Sequence, residues 1–259
     1  WAKRMFPDLA EGDAQTRLAE AIFMASRVNA EDPVASWKTH NQRLKEKREW
    51  LNQKDFKEIH FKGPGTDLKV GLADDHEWMG GASMAQNGVV CNPNIPSEEV
   101  FTTPHAQRVE GYVSSTKPLS HQGTLIDNIR VVFEKGSITD AKASKGETVL
   151  KKVLESDEGA RRLGEVALVP NSSPISNSGL LFYNTLFDEN AACHIALGQC
   201  YSKCFRGEEN LSASEISERG GNSSMIHIDW MIGSGEIDID GFGKNGEIVP
   251  IFRKGEWVD

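Results

Sequence analysis

Residues 129–142 read IRVVFEKGSITDAK. Two short apolar-rich runs, 129–134 and 137–142, flank the dipeptide Lys135-Gly136, so the segment is expected to fold as a β-hairpin with a two-residue turn. The chain on either side has the same texture. Short apolar runs at 56–61, 68–72, 89–91 and 109–116 upstream read as strands, as do 165–169, 224–232, 236–239 and 248–252 downstream. Gly63-Pro64-Gly65 and Gly80-Gly81 punctuate the upstream set as turns. Before residue 56 the period changes. Leu18, Ile22, Ala25 and Val28 fall at helical spacing within 13–30, with Asp13 as a cap, and a second helix is expected to open near Pro33. Trp37, Leu44 and Leu51 recur every seven residues along it, opposite a solvated face of Lys, Arg and Glu. Residues 146–163 are expected to be helical with a break near Asp157. Residues 180–197, apolar all round, are expected to form a buried helix. The class is α+β: a mixed, largely antiparallel sheet with packed helices and a helical amino-terminal lead-in over 1–55, followed by 56–259.

The 259 residues suffice for a sizeable core, and 29 Lys+Arg against 38 Asp+Glu give a formal charge of −9. That balance argues against a nucleic-acid-binding body, which would carry a basic stripe. No stretch approaches the ~20 apolar residues of a membrane span, and the first residues lack a signal-peptide pattern. Four cysteines, Cys91, Cys193, Cys200 and Cys204, are too few for a disulfide scaffold, so a reducing, cytoplasmic setting is expected. Because the sequence opens at Trp1 rather than at methionine, it is expected to be part of a longer protein.

Chemistry concentrates in the second half. His227 and Asp229 form H-x-D within an apolar run, and residues two apart in a strand project to the same side. A buried carboxylate needs a partner, either a basic side chain or a metal. Arg219 is the obvious basic candidate nearby, and its distance in sequence favours the metal. His194 lies five residues after Glu189 and seven before Tyr201; on a helix Glu189 would sit roughly 140° away from it. His194 taken alone reads as a hydrogen-bonded core histidine. Glu99 and Glu165, each beside an apolar run, are individually ordinary. Together these carboxylates and imidazoles suit Zn²⁺, Co²⁺ or Mn²⁺, and the surplus of carboxylates suits two ions. Cys193, Cys200 and Cys204 lack a C-x2-C pair and read as small buried thiols. Phosphate-loop, nucleophile-elbow, H-E-x-x-H and dinucleotide motifs are absent.

The runs FKGPGTDLKVGL, NIPSEEVFTTPHAQRVEGYVSSTKPL, GEVALVPNSSPISNSGLLFYNTLFDENAACHIALGQCY, SSMIHIDWMIG and PIFRKGEW are long and ordered. They resemble the thermophilic-type metalloaminopeptidases, the family of aminopeptidases T and S (PepS), from about Trp1 to the end. The resemblance implies removal of amino-terminal residues from peptides by a hydroxide that two divalent ions activate. It also implies a cytoplasmic homodimer whose active site lies in the carboxy-terminal domain, here 56–259, after a lead-in from a truncated amino-terminal domain. Carried over motif by motif, the metal ligands are Glu99 (or Glu98 one register away), Glu165, Glu189, His194, His227 and Asp229. Tyr201 would stabilise the oxyanion, and Glu99 or Glu189 would move the proton to the leaving amine. Two other readings stand beside this one: an inactive or binding fragment with a structural metal, and a two-metal hydrolase of non-peptide amides or esters.

Overall fold

The computed structural model describes residues 1–207 and 211–258. A short helix α1 (Ala2–Met5) precedes α2 (Glu11–Ala25) and α3 (Pro33–Lys54). The start of α3 follows from its sequence: the Asp32 carboxylate accepts from the Ala35 N–H at 2.9 Å and Pro33 occupies the first turn. Leu44 and Leu51 are buried, while Trp37 is half-buried and donates from its indole to the Ser26 carbonyl at 2.9 Å. The helix expected over 13–30 is α2; it starts at Glu11, two residues before Asp13, and stops at Ala25, because Arg27 turns the chain in a left-handed conformation (φ 57°).

The strands follow as β1 (Glu58–Gly63), β2 (Thr66–Leu72), β3 (Ser83–Met84), β4 (Val90–Cys91), β5 (Val100–Thr102), β6 (Pro104–Ser114), β7 (Leu119–His121), β8 (Thr124–Ile126), β9 (Arg130–Glu134) and β10 (Ser137–Lys142). After α4 (Glu147–Leu154) come β11 (Leu163–Leu168), α5 (Pro174–Ser178), α6 (Thr185–Asp188), β12 (His194–Gly198) and α7 (Ala213–Glu218). The chain then finishes with β13 (His227–Met231), β14 (Asp238–Phe242), β15 (Ile248–Arg253) and β16 (Glu256–Trp257). An eight-stranded sheet runs β10-β9-β6-β2-β1-β14-β15-β16 and a four-stranded sheet runs β13-β12-β11-β5. Their neighbouring strands pair antiparallel throughout. The β9–β10 hairpin closes as expected, with Lys135 and Gly136 both at positive φ (50° and 78°). Gly136 is required twice over, since a Cβ there would lie 1.9 Å from the Ala106 carbonyl oxygen.

Residues 180–197 differ from expectation. They form α6, a 3₁₀ turn over Glu189–Ala191 and strand β12, not one helix. The Asp188 carboxylate accepts from the Phe182 and Asn184 N–H groups at 2.7 and 3.0 Å, folding this stretch back on itself. Every residue of β12 is buried, so the run shows no alternation to mark it as a strand. The 146–163 segment does break at Asp157, whose carboxylate caps a 3₁₀ turn (Glu158–Arg161) and accepts from the Met225 N–H at 2.6 Å. Among the described residues, no helix is long and apolar enough to cross a membrane.

Strand alternation positions the site. Val166 and Leu168 of β11, Ile195 and Leu197 of β12, and Ile228 and Trp230 of β13 join one buried cluster with Phe61, Val70 and Phe133 of the larger sheet. Their alternate neighbours Glu165, His194 and Asp229 must therefore face the other way.

The helical lead-in grips the segment before β5. Arg27 donates to both carboxylate oxygens of Glu98, one at 2.7 Å, and His40 of α3 reaches the Ser97 carbonyl at 2.7 Å. Glu98 is 3% exposed, so its charge depends on that guanidinium. Replacing Arg27 with Met is expected to lower unfolding free energy by about 3–5 kcal/mol. The double variant R27M/E98M should recover much of the loss; denaturant titration of the three proteins checks both expectations.

Candidate metal centre

The registers of the four-stranded sheet set the ligand positions. Glu165 on β11 pairs with Ala196 on β12, which pairs in turn with Asp229 on β13. Two carboxylates thus flank a methyl group on one face, with room above it. His227 sits opposite Gly198, and His194 sits opposite Ala167. Glu99 enters from the residue before β5, whose Phe101 pairs with Ala167. A bulge aims Glu165. Residues two apart in a regular strand share a face, yet Leu163 belongs to the core and Glu165 to the cavity. The register shift between them makes Gly164 the extra residue, and a Cβ there would lie 2.3 Å from the Gln199 carbonyl oxygen.

Glu99, Glu165, Glu189, Tyr201, His227 and Asp229 line one cavity, and His194 reaches it from beneath. His194 Nε2 lies 3.0 Å from Glu99 Oε2 and 3.7 Å from Glu165 Oε1. His227 Nε2 lies 3.6 Å from Glu165 Oε2 and 3.4 Å from Asp229 Oδ1. The other ring nitrogens face backbone carbonyls: His194 Nδ1 is 3.1 Å from Ala192 O, and His227 Nδ1 is 2.7 Å from Gln199 O. Those carbonyls can only accept, so Nδ1 carries the proton in each ring and Nε2 is turned toward the carboxylates. This is the outer hydrogen bonding that metal-bound imidazoles use. Glu99 Oε2 and His194 Nε2 are buried and, despite their closeness, make no hydrogen bond in suitable geometry. A cation between them would satisfy both. Among the described residues, two groups have the spacing for this: Glu99 with Glu165 and His194, and Glu165 with His227 and Asp229. Glu165 belongs to both. Glu189 lines the cavity but belongs to neither group.

The electrostatics reflect crowded acids. Burial, then the charges of Asp229 and Glu99, push Glu165 up to about 7 against the opposing attraction of the nearby His194 ring. Burial and the same neighbours push Glu189 up to about 9. Burial pulls His227 and His194 down, but the facing carboxylates prevail, holding His227 at about 9 and His194 well above the usual imidazole value. Burial and the carboxylates raise Tyr201, so its phenol stays protonated.

Glu98, the alternative one register from Glu99, points away into its ion pair with Arg27. Arg219, the basic alternative for Asp229, faces Asp75 at 3.8 Å and donates to the Arg206 carbonyl at 3.0 Å. Cys193, Cys200 and Cys204 are buried free thiols and, among the described residues, enter no metal-capable group. Arg48 and Lys203 also line the cavity, and sequence reasoning gave no sign of them: neither belongs to a motif or a period.

A sheet face carrying two linked carboxylate–imidazole groups fits a metal-binding class of protein. The model for the thermophilic metalloproteases (M29) matches residues 1–257, and the chain belongs to that family. It is 55% identical over 258 residues to aminopeptidase T of Thermus aquaticus and 49% identical over 258 residues to aminopeptidase 2 of Geobacillus stearothermophilus. These matches cover 100% of this chain but 63% and 62% of those proteins, so the chain spans less than two thirds of its relatives' length. A solved structure, wild-type AmpT from Thermus thermophilus, matches with a TM-score of 0.92 at 52% identity, covering 100% of this chain and 62% of that one. The α+β architecture is therefore that of the family.

Glu165, Glu189 and His227 each hold a proton more tightly in the fold than their ordinary values of 4.5, 4.5 and 6.5 allow. The folded metal-free chain then binds more protons than the unfolded chain between those values and about 9. Stability is full below the ordinary values and falls as pH rises through the folded ones. Thermal melts of chelator-treated protein are expected to drop from about pH 5 to pH 9, and Glu189→Gln should flatten the drop.

Proposed function

We propose that this chain is the catalytic portion of a two-metal aminopeptidase, with the metal centre in residues 56–259 and residues 1–55 as its helical lead-in. The observation that carries the reading is the double use of Glu165: Oε1 faces His194 and Oε2 faces His227. Glu99, Glu165 and His194 would hold one ion, and Glu165, His227 and Asp229 the other, with Glu189 near enough in the cavity to be a further ligand. The oxygen and nitrogen donors fit Zn²⁺, Co²⁺ or Mn²⁺. Such a pair, when bound, polarises a peptide carbonyl and supplies a water-derived nucleophile at neutral pH.

The remaining work falls to side chains of this chain. Tyr201, protonated and with its ring 4.7 Å from the His227 ring, donates its O–H to the oxygen on which negative charge develops. Glu99 and Glu189, both lining the cavity, are the candidates for carrying the proton to the leaving amine. The carboxylates also give the substrate's ammonium group a counter-charge, which favours cleavage at the first peptide bond. The names of the relatives, aminopeptidase T and aminopeptidase 2, support a peptide substrate. The reading includes a homodimer in the cytoplasm, as the family resemblance implies.

Stripped protein is expected to regain cleavage of leucine p-nitroanilide on addition of Co²⁺ or Zn²⁺, whereas a purely structural metal would restore only melting temperature. Glu165→Gln should lose turnover by at least about a hundredfold, the scale of one preorganised charge in a reacting site, with circular dichroism unchanged. Retained turnover in that variant would remove Glu165 from its place between the ions.

A further inference from the structure

The cavity is acidic at its floor, yet two basic side chains line it: Arg48 from α3, and Lys203 from the 3₁₀ turn (Ser202–Cys204) that follows Tyr201. Neither has an ion-pair partner among the described residues. A lysine beside a cluster of carboxylates would be expected to pair with one of them. Lys203 instead stands over an aromatic wall, its Nζ 5.0 Å from the Phe101 ring centroid and 5.2 Å from that of Tyr201. Those two rings meet edge to face, 6.1 Å apart at 65°. Attraction to the ring faces holds the ammonium at the cavity wall without neutralising it. The Tyr201 ring is in turn 4.7 Å from the His227 ring, so one aromatic ring separates the ammonium from the carboxylate–imidazole cluster.

An extended peptide advances about 3.3–3.6 Å per residue. With its amino terminus among the carboxylates and its first carbonyl at Tyr201, its next residue or two passes Lys203. Lys203 has no ion pair to give up among the described residues, and a carboxylate arriving there gains a charge-assisted hydrogen bond while the ring contacts can stay in place.

We propose that Lys203 is a specificity residue that pairs with a substrate carboxylate just beyond the scissile bond. That carboxylate is either the free carboxy terminus of a short peptide or an acidic side chain on its second residue. The inference rests on the peptidase reading above. The test compares kcat/KM of the metal-loaded chain on Leu-Gly against Leu-Gly-amide, and on Leu-Glu-amide against Leu-Gln-amide. Wild type should favour the acidic member of one pair by about threefold to tenfold, the size of a partly exposed charge-assisted contact. The pair that shows the preference identifies the source of the carboxylate. Lys203→Met should abolish the preference through KM rather than kcat, and Lys203→Arg should retain it. Saturation-transfer NMR with glycylglycine and its amide should rank the same proteins without turnover. Equal treatment of both pairs by wild type overturns the proposal, as does a preference that survives Lys203→Met or is lost in Arg48→Met instead. Failure of the loaded chain to cleave any of the four peptides would overturn the peptidase reading itself, and this inference with it.

Discussion

Like charges that cannot move apart govern this structure. Glu99, Glu165 and Asp229 converge with two imidazoles on one face of a four-stranded sheet, and each of these residues is less than a tenth exposed. Among the described residues, no Lys or Arg lies within ion-pair distance of them; they face His194 and His227 instead. Buried carboxylates without a counter-charge are expensive, so protons or metal ions must supply the positive charge. The perturbed groups follow from this. Glu165 and Glu189 are raised because their ionised forms are both desolvated and repelled.

Neighbouring residues meet the cost of burial in two different ways. Glu98 is satisfied by a guanidinium that approaches it through both nitrogens, and it is thereby removed from chemistry. Glu99, one position on, is left with a buried oxygen that no hydrogen bond reaches. The backbone N–H of Glu98 is held by the Asn190 side chain at 2.6 Å, and Asn190 follows Glu189 directly. The ion pair and this amide contact together brace the two loops that bring Glu99 and Glu189 to the sheet. The lead-in helices thus support the site without lining it, apart from Arg48.

Legibility in the sequence divides along local and non-local physics. The 129–142 hairpin was readable because two-residue turn chemistry and a period of two are local signals. The H-x-D pair was readable for the same reason. Strand β12 was not, because a five-residue run buried on both faces has no alternation, and the apolar stretch before it mimics a helix. Strand β5 has three residues, too few for any period. Composition and spacing suggested a metal set that included Glu99, Glu165 and Glu189, and the family resemblance gave each residue, Tyr201 among them, its role. What joins Glu99 to Glu165 is antiparallel pairing across the chain, which no window sees. Lys203 left no trace, since an exposed lysine after a tyrosine is ordinary until its ring contacts are known.

The sheet also explains why the repulsion persists. Acids on loops could swing out to water and relieve it. Here Glu165 and Asp229 are fixed by their common partner Ala196, and His194 and His227 are pinned by the carbonyls of Ala192 and Gln199. A regular ladder holds the backbone beneath the cluster, so relief must come from side-chain torsions alone. The Gly164 bulge is the one irregularity in the β11–β12 pairing, and it turns Glu165 toward the cluster rather than away. The fold therefore keeps acceptors aimed at shared points and leaves the compensating charge to come from outside the chain. That is preorganisation in its electrostatic form: the strain of assembling these side chains is met by the hydrophobic core under the same strands.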